Sequence, residues 1–94
     1  MNALLQVLQM ITRSLIADKI ASWLHHDLTL CELVDWAENA LLREDFAEND
    51  ASELAAIVGR LGAADVRNFG LSWEDCEQLL KQLGYVAHVD ITAA

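Results

Sequence analysis

The stretch from Leu28 to Leu42, LTLCELVDWAENALL, constrains the fold more than any other part of the chain. Thr29 stands three residues before Glu32, which is the spacing of a capping box at the N-terminus of a helix. Apolar residues then recur at helical spacing on one face: Leu30, Leu33, Val34, Ala37 and Leu41. A helix with one apolar face must bury that face, so the rest of the chain has to supply packing partners.

Other segments carry the same helical signals. The sequence predicts helices at about 2–24, 30–43, 51–61, 64–69 and 73–83. The sequence of 94 residues contains no proline and no linker-like run, which is typical of one domain with short connections. We therefore expect a single domain spanning residues 1–94, mainly α, built as a compact bundle of four to five helices.

Capping residues and glycines mark the ends of the later helices. Asp50 and Glu53 repeat the capping-box spacing before the third helix, and Gly62 is expected to end it in a left-handed conformation. Ser72 caps the last helix, and Gly84 is expected to stop it. These signals fix the expected boundaries of the bundle.

The first predicted helix carries two apolar stripes that cannot face one flat core. One stripe is Leu4, Leu8, Ile11 and Leu15, and the other is Ile16, Ile20 and Trp23. Either the helix bends or breaks near residues 12–14, or its two halves bury against different neighbours. One of those neighbours could be another subunit.

The C-terminal stretch LGYVAHVDI, residues 83–91, alternates apolar and more polar residues with the period of a strand. We expect a short C-terminal β-strand at about 85–91. The strand needs a partner for its backbone groups, and three arrangements stay open: the same strand of a second subunit, a short internal partner, or a tail packed on the helices. The first predicts a homodimer associating through Tyr85, Val86, Ala87, His88, Val89, Asp90 and Ile91.

Charge limits the kind of partner. The formal net charge of −9 disfavours direct binding to nucleic acid and to anionic membrane lipid. Between Glu32 and Glu53 the chain holds eight acidic residues against Arg43 alone, a formal −7. Such a cluster could bind a basic protein partner, or it could simply solubilise the chain and cap helices. The candidate partner-binding residues are Glu32, Asp35, Trp36, Glu38, Glu44, Asp45 and Glu48.

Signatures of catalysis and metal binding are missing from the sequence. It contains no HExxH pattern, nucleophile elbow or phosphate-binding glycine loop. His25 and His26 are adjacent, so their side chains diverge by about 100° on a helix, and they are expected to mark a helix end. Cys31 and Cys76 are too few for a disulfide framework and are expected to be reduced. We expect no cofactor and no catalytic residue.

The apolar N-terminus is a poor signal peptide because no basic residue precedes Arg13. Arg13, Asp18 and Lys19 also interrupt the best candidate for a membrane span, so we expect a cytoplasmic protein. In size and charge the chain is similar to the immunity proteins that neutralise bacterial nuclease toxins, and no motif extends that likeness to individual residues. The sequence favours an acidic adaptor, inhibitor or regulator of a basic partner. A self-assembling homo-oligomer is the second possibility, and a small enzyme or metal-binding protein is the third.

Overall fold

Four helices make up most of the part of the chain that the structure describes. A computed structural model describes residues 10–43, 45–47, 50–65 and 70–88. The helices are α1 (Arg13–Leu24), α2 (Leu30–Arg43), α3 (Ala51–Gly62) and α4 (Trp73–Gln82). The prediction of a mainly helical bundle is therefore confirmed.

Helix α1 begins at Arg13, not near residue 2. Thr12 is its N-cap, and the Thr12 hydroxyl accepts a hydrogen bond from the Leu15 amide at 3.1 Å. Just before it, the backbone of Ile11 pairs with the chain around Phe46 in a short parallel bridge. A single helix over 2–24 is thus wrong, because residues 10–12 are not helical. Residues 1–9 lie outside the described part of the chain.

Helices α1 and α4 end in the same backbone motif. At the end of α1, the His26 amide donates to the Trp23 carbonyl at 3.0 Å and the Asp27 amide donates to the Ser22 carbonyl at 2.9 Å. This pair of bonds is a Schellman motif, and it places His26 at a positive φ of 66°. At the end of α4, Gly84 occupies the equivalent position at a φ of 93°, as its sequence position predicted.

The ends of α3 differ from the prediction at both termini. Asp50 stands at the N-cap but makes no capping hydrogen bond with its side chain, because its carboxylate is engaged elsewhere. Gly62 is the last helical residue and not a left-handed stop, since the C-cap is Ala63 with a φ of −96°. Ala64 and Asp65 lie in a turn and not in the predicted helix at 64–69, whose remaining residues, 66–69, are outside the described part.

One apolar core joins all four helices. Helices α2 and α3 make the most extensive contact, and α1 packs against α2 and α4. The core excludes every polar and charged side chain of the described residues. Its largest fully buried members are Ile11, Ile16, Ile20, Leu33, Leu54, Ile57, Leu61, Val58 and Cys76.

The predicted C-terminal strand is not present in the described part of the chain. Tyr85 to His88 pair with no strand, and Val89, Asp90 and Ile91 lie outside the described residues. The Tyr85 amide instead donates to the Leu80 carbonyl at 2.8 Å and completes the Schellman motif that ends α4. Pairing of this segment with a second subunit therefore stays a prediction.

Candidate protein-binding surface

Helix α2 presents one face to the core and the opposite face to solvent. Its buried residues are Leu33, Val34, Ala37 and Ala40. Its exposed residues are Cys31, Glu32, Asp35, Glu38, Asn39, Leu42 and Arg43, and the outer face of α2 is defined as all of these except Arg43, which lines the edge nearest α1. The structure thus brings three of the predicted partner-binding acids, Glu32, Asp35 and Glu38, onto one exposed helix surface.

The start of α2 is held by the predicted capping box. The Glu32 amide donates to the Thr29 hydroxyl at 3.1 Å, and the Thr29 amide donates to the Glu32 carboxylate at 2.9 Å. The bond from the Thr29 amide, followed by that from its side chain, lowers the pKa of Glu32. Glu32 therefore has a structural role as well as an exposed negative charge.

Leu42 is the residue of this face that the sequence reasoning missed. Its side chain is 82% exposed, although it is a large apolar residue at the end of an amphipathic helix. Glu38 lies four residues before it and Asp35 seven, so both are near it on the helix surface. The signal was present in the sequence: nine residues at about 100° each make two and a half turns, which places Leu42 opposite the buried Leu33.

The edge of α2 nearest α1 carries Trp36 and Arg43 and faces Asp18 and Lys19 of α1. Trp36 is partly buried against the core, and the Lys19 ammonium lies 5.6 Å from the centroid of its ring, within the range of a cation–π contact. A shallow depression between α1 and α2 is lined by both residues and by Arg43. Trp36, one of the predicted partner-binding residues, is thus only partly exposed and packs against the core.

Arg13 engages two of the acids that the sequence had placed in the charge cluster. Its guanidinium lies 3.1 Å from the Asp50 carboxylate and 3.2 Å from the Glu53 carboxylate. It also donates to the backbone carbonyl of Gln82 at 2.9 Å, which ties α1, α3 and the end of α4 together. The bonds to Asp50 and then Glu53 raise the pKa of Arg13. These carboxylates therefore belong to the scaffold, and Arg13 offsets one of their two negative charges.

The loop after α2 places Asp45 at the surface. The Asp45 carbonyl accepts a hydrogen bond from the Ile11 amide at 2.7 Å, and the Ala47 amide donates to the Ile11 carbonyl at 2.9 Å. These two bonds fix the loop backbone against the start of α1 while the Asp45 side chain stays exposed. Glu44 and Glu48, the other predicted partner-binding residues of this loop, lie outside the described residues.

A second surface feature lies beside the predicted self-association segment. Tyr85 is 43% exposed and Val86 is 78% exposed, whereas Ala87 packs against the core. The segment borders a groove of about 530 Å³ whose walls are mostly apolar, formed by Ala17, Asp18, Ala21, Leu24, His25, Trp73, Leu80, Tyr85, Val86, Ala87 and His88. The only carboxylate among these lining residues is that of Asp18.

Chemical groups typical of a catalytic or metal site are not assembled in the described residues. Within them, no group of three or more His, Cys, Asp or Glu side chains could hold a metal ion. Burial raises the pKa of the Cys76 thiol to about 11, so this cysteine is a poor nucleophile at neutral pH, while Cys31 is exposed. None of the described helices is long and apolar enough to cross a membrane.

Comparison with protein-family models, with curated proteins and with solved structures finds no match to this chain. The function therefore has to be argued from the surface itself, through its exposed residues and their charges.

Proposed function

We propose that the protein is a small acidic interaction module that binds a basic protein partner through the outer face of α2, as an adaptor, inhibitor or regulator. The observation that carries this proposal is the separation of charges in the fold. Asp50 and Glu53 are paired with Arg13. Asp35 and Glu38, in contrast, project from an exposed helix face and make no ion pair with a described residue.

The arrangement favours binding over a purely solubilising role. The capping box and the core contacts of α2 hold Asp35 and Glu38 on a rigid helix, so a partner would meet charges that are already in position. Complementary charge at such a surface accelerates association and excludes acidic partners. The formal net charge of −9 adds a long-range attraction for a basic protein.

The experiment compares two double variants that change the net charge equally. Asp35→Asn with Glu38→Gln neutralises the outer face, and Asp65→Asn with Glu77→Gln neutralises two exposed acids elsewhere. Partners are captured from a lysate of the source organism at about 0.1 M and about 1 M salt, where the Debye length falls from about 10 Å to about 3 Å. We expect the partner to be lost with the outer-face variant and retained by the control variant. We also expect the wild type to lose the partner at about 1 M salt.

A partner retained equally by both variants and at both salt concentrations would remove the electrostatic mechanism. A partner lost equally with both variants would assign the effect to net charge alone and would remove the outer face as the site. Circular dichroism of each variant checks that the helices are intact, since both pairs replace exposed side chains.

A second candidate function, self-assembly into a homodimer, is supported by the exposed apolar pair Tyr85 and Val86 beside the groove. An exposed apolar surface of this kind is common at protein interfaces. Light scattering at high protein concentration tests the idea. Val86→Lys should convert a dimer to a monomer, and a wild-type protein that is strictly monomeric would exclude the candidate.

A further inference from the structure

Leu42 is the most exposed large apolar side chain of the described residues, and it lies on a helix face without a partner. Its exposed fraction is 82%, against 43% for Tyr85 and 44% for Met10. Leucine has a high helix propensity but so do glutamine and lysine, so the helix itself does not require an apolar residue here. Helix propensity therefore does not account for an apolar residue at position 42, and the neighbouring side chains indicate which kind of partner would cover it.

The outer face of α2 has a regular geometry. Cys31, Asp35, Glu38 and Leu42 follow one another at spacings of four, three and four residues, which places them along one line of the helix surface. At a rise of about 1.5 Å per residue the line is about 16 Å long, or three helical turns. It is acidic in the middle and apolar at its C-terminal end.

A second copy of the chain does not suit this face. In a two-fold symmetric contact centred between Asp35 and Glu38, these acids of one copy would meet the same acids of the other. Like charges at that distance are unfavourable. Nucleic acid and anionic lipid are disfavoured for the same reason, so the occupant has to supply positive charge together with an apolar surface.

We propose that the outer face of α2 binds an amphipathic basic helix of a partner protein, whose apolar stripe covers Leu42 and whose flanking lysines or arginines meet Asp35 and Glu38. The inference rests on the proposed function and adds the form of the partner and the anchor residue. On the side nearest α1, the two cations Lys19 and Arg43 outnumber the one acid, Asp18, so a basic helix is less favoured there than at Asp35 and Glu38.

The test uses a synthetic peptide of the same length as α2, 14 residues, composed of leucine and lysine and patterned with all leucines on one helix face. A scrambled peptide of the same composition has the same charge without the apolar face. Binding is measured by calorimetry on the unlabelled protein. It is also measured through a fluorophore attached to Cys31, which is exposed while Cys76 is buried.

Leu42→Gln is the central variant, because glutamine keeps a high helix propensity while removing the apolar surface. Met10→Gln is its matched control, since Met10 is a 44% exposed apolar residue outside both the outer face of α2 and the segment from Tyr85 to His88. We expect Leu42→Gln to weaken binding of the patterned peptide by about tenfold, which is the scale of losing one buried leucine contact. Met10→Gln should leave binding of the patterned peptide unchanged, and binding of the scrambled peptide should not depend on Leu42.

The outcomes separate the two proposals. Weakening by Asp35→Asn with Glu38→Gln but not by Leu42→Gln would overturn the anchor and the amphipathic helix while leaving an electrostatic site for a basic partner. Binding that is unchanged by the acidic double variant would overturn the proposed function itself. Equal weakening by Leu42→Gln and Met10→Gln would also overturn the anchor, because the peptide would then be binding to any exposed apolar residue.

Discussion

Replacing His26 by glycine should stabilise the protein, although it removes a whole side chain. His26 is the only described residue other than glycine with a positive φ, at 66°. Its amide and that of Asp27 make the two hydrogen bonds that close α1, and both donors are backbone groups. Glycine would keep both bonds and would remove the contact between the β-carbon and the following carbonyl that disfavours this conformation.

The expected stabilisation by His26→Gly is the difference between two opposing effects. A left-handed conformation costs a residue with a β-carbon roughly 1–2 kcal/mol, with histidine at the lower end because it adopts this region more readily than most residues. Glycine loses more conformational entropy on folding, which costs roughly 0.5–1 kcal/mol. The net gain is therefore about 0.5–1 kcal/mol, equivalent to a rise in Tm of roughly 2–8 °C for a domain of this size.

Neighbouring variants provide controls of opposite sign. His25 is the C-cap with a φ of −85°, so His25→Gly gains nothing from relieved strain and should destabilise by about 0.5–1 kcal/mol. His26→Ala removes the imidazole but keeps the β-carbon, and it should change stability by less than about 0.5 kcal/mol. Guanidinium unfolding followed by tryptophan fluorescence and circular dichroism measures all three. A His26→Gly protein no more stable than the wild type would refute the reasoning.

Three further predictions concern the core, acid stability and the thiols. Ile11→Ala should cost about 2–5 kcal/mol of unfolding free energy, because Ile11 is fully buried at the bridge. The Thr29 and Ser72 amides lower the pKa values of Glu32 and Asp75 below 4.5 and 3.8, their values in the unfolded chain. Both carboxylates therefore stabilise the fold fully above those pH values, and this stabilisation is lost as the pH falls below them. The Glu32→Gln, Asp75→Asn double variant should lose less stability than the wild type between about pH 5 and pH 2 in acid titrations. A thiol-reactive disulfide reagent should titrate one cysteine in the native protein, Cys31, and two after unfolding; two rapid native equivalents would contradict the burial of Cys76.

The features that the sequence predicted correctly are local in origin. The capping box of Thr29 with Glu32 and that of Ser72 with Asp75 both form, because each joins groups three residues apart within one turn. The glycine at 84 ends α4 for an equally local reason, its tolerance of a positive φ. Short-range hydrogen bonding therefore accounts for these features without contacts from distant parts of the chain.

The features that the sequence did not predict depend on contacts over long separations. Asp50 and Glu53 have capping-box spacing, yet their carboxylates bond to Arg13, which is 37 residues before Asp50 in the chain. A charged donor competes successfully with a neutral backbone amide for a carboxylate. The bridge that Ile11 makes with the loop around Phe46 is equally non-local, and it explains why the chain at Ile11 is not helical.

The same long-range contacts change the meaning of the acidic run from Glu32 to Glu53. Counted along the sequence, its acids form one cluster of equivalent charges. In the fold, Asp50 and Glu53 are both paired with Arg13, which offsets one of their two charges, and Glu32 is partly committed to capping α2. The charge available to a partner on the outer face is therefore concentrated at Asp35 and Glu38, next to an exposed leucine that no charge count could reveal. A surface that combines few fixed charges with one apolar anchor is more selective than a diffuse acidic patch, because a basic partner without a matching apolar stripe would leave Leu42 exposed to water.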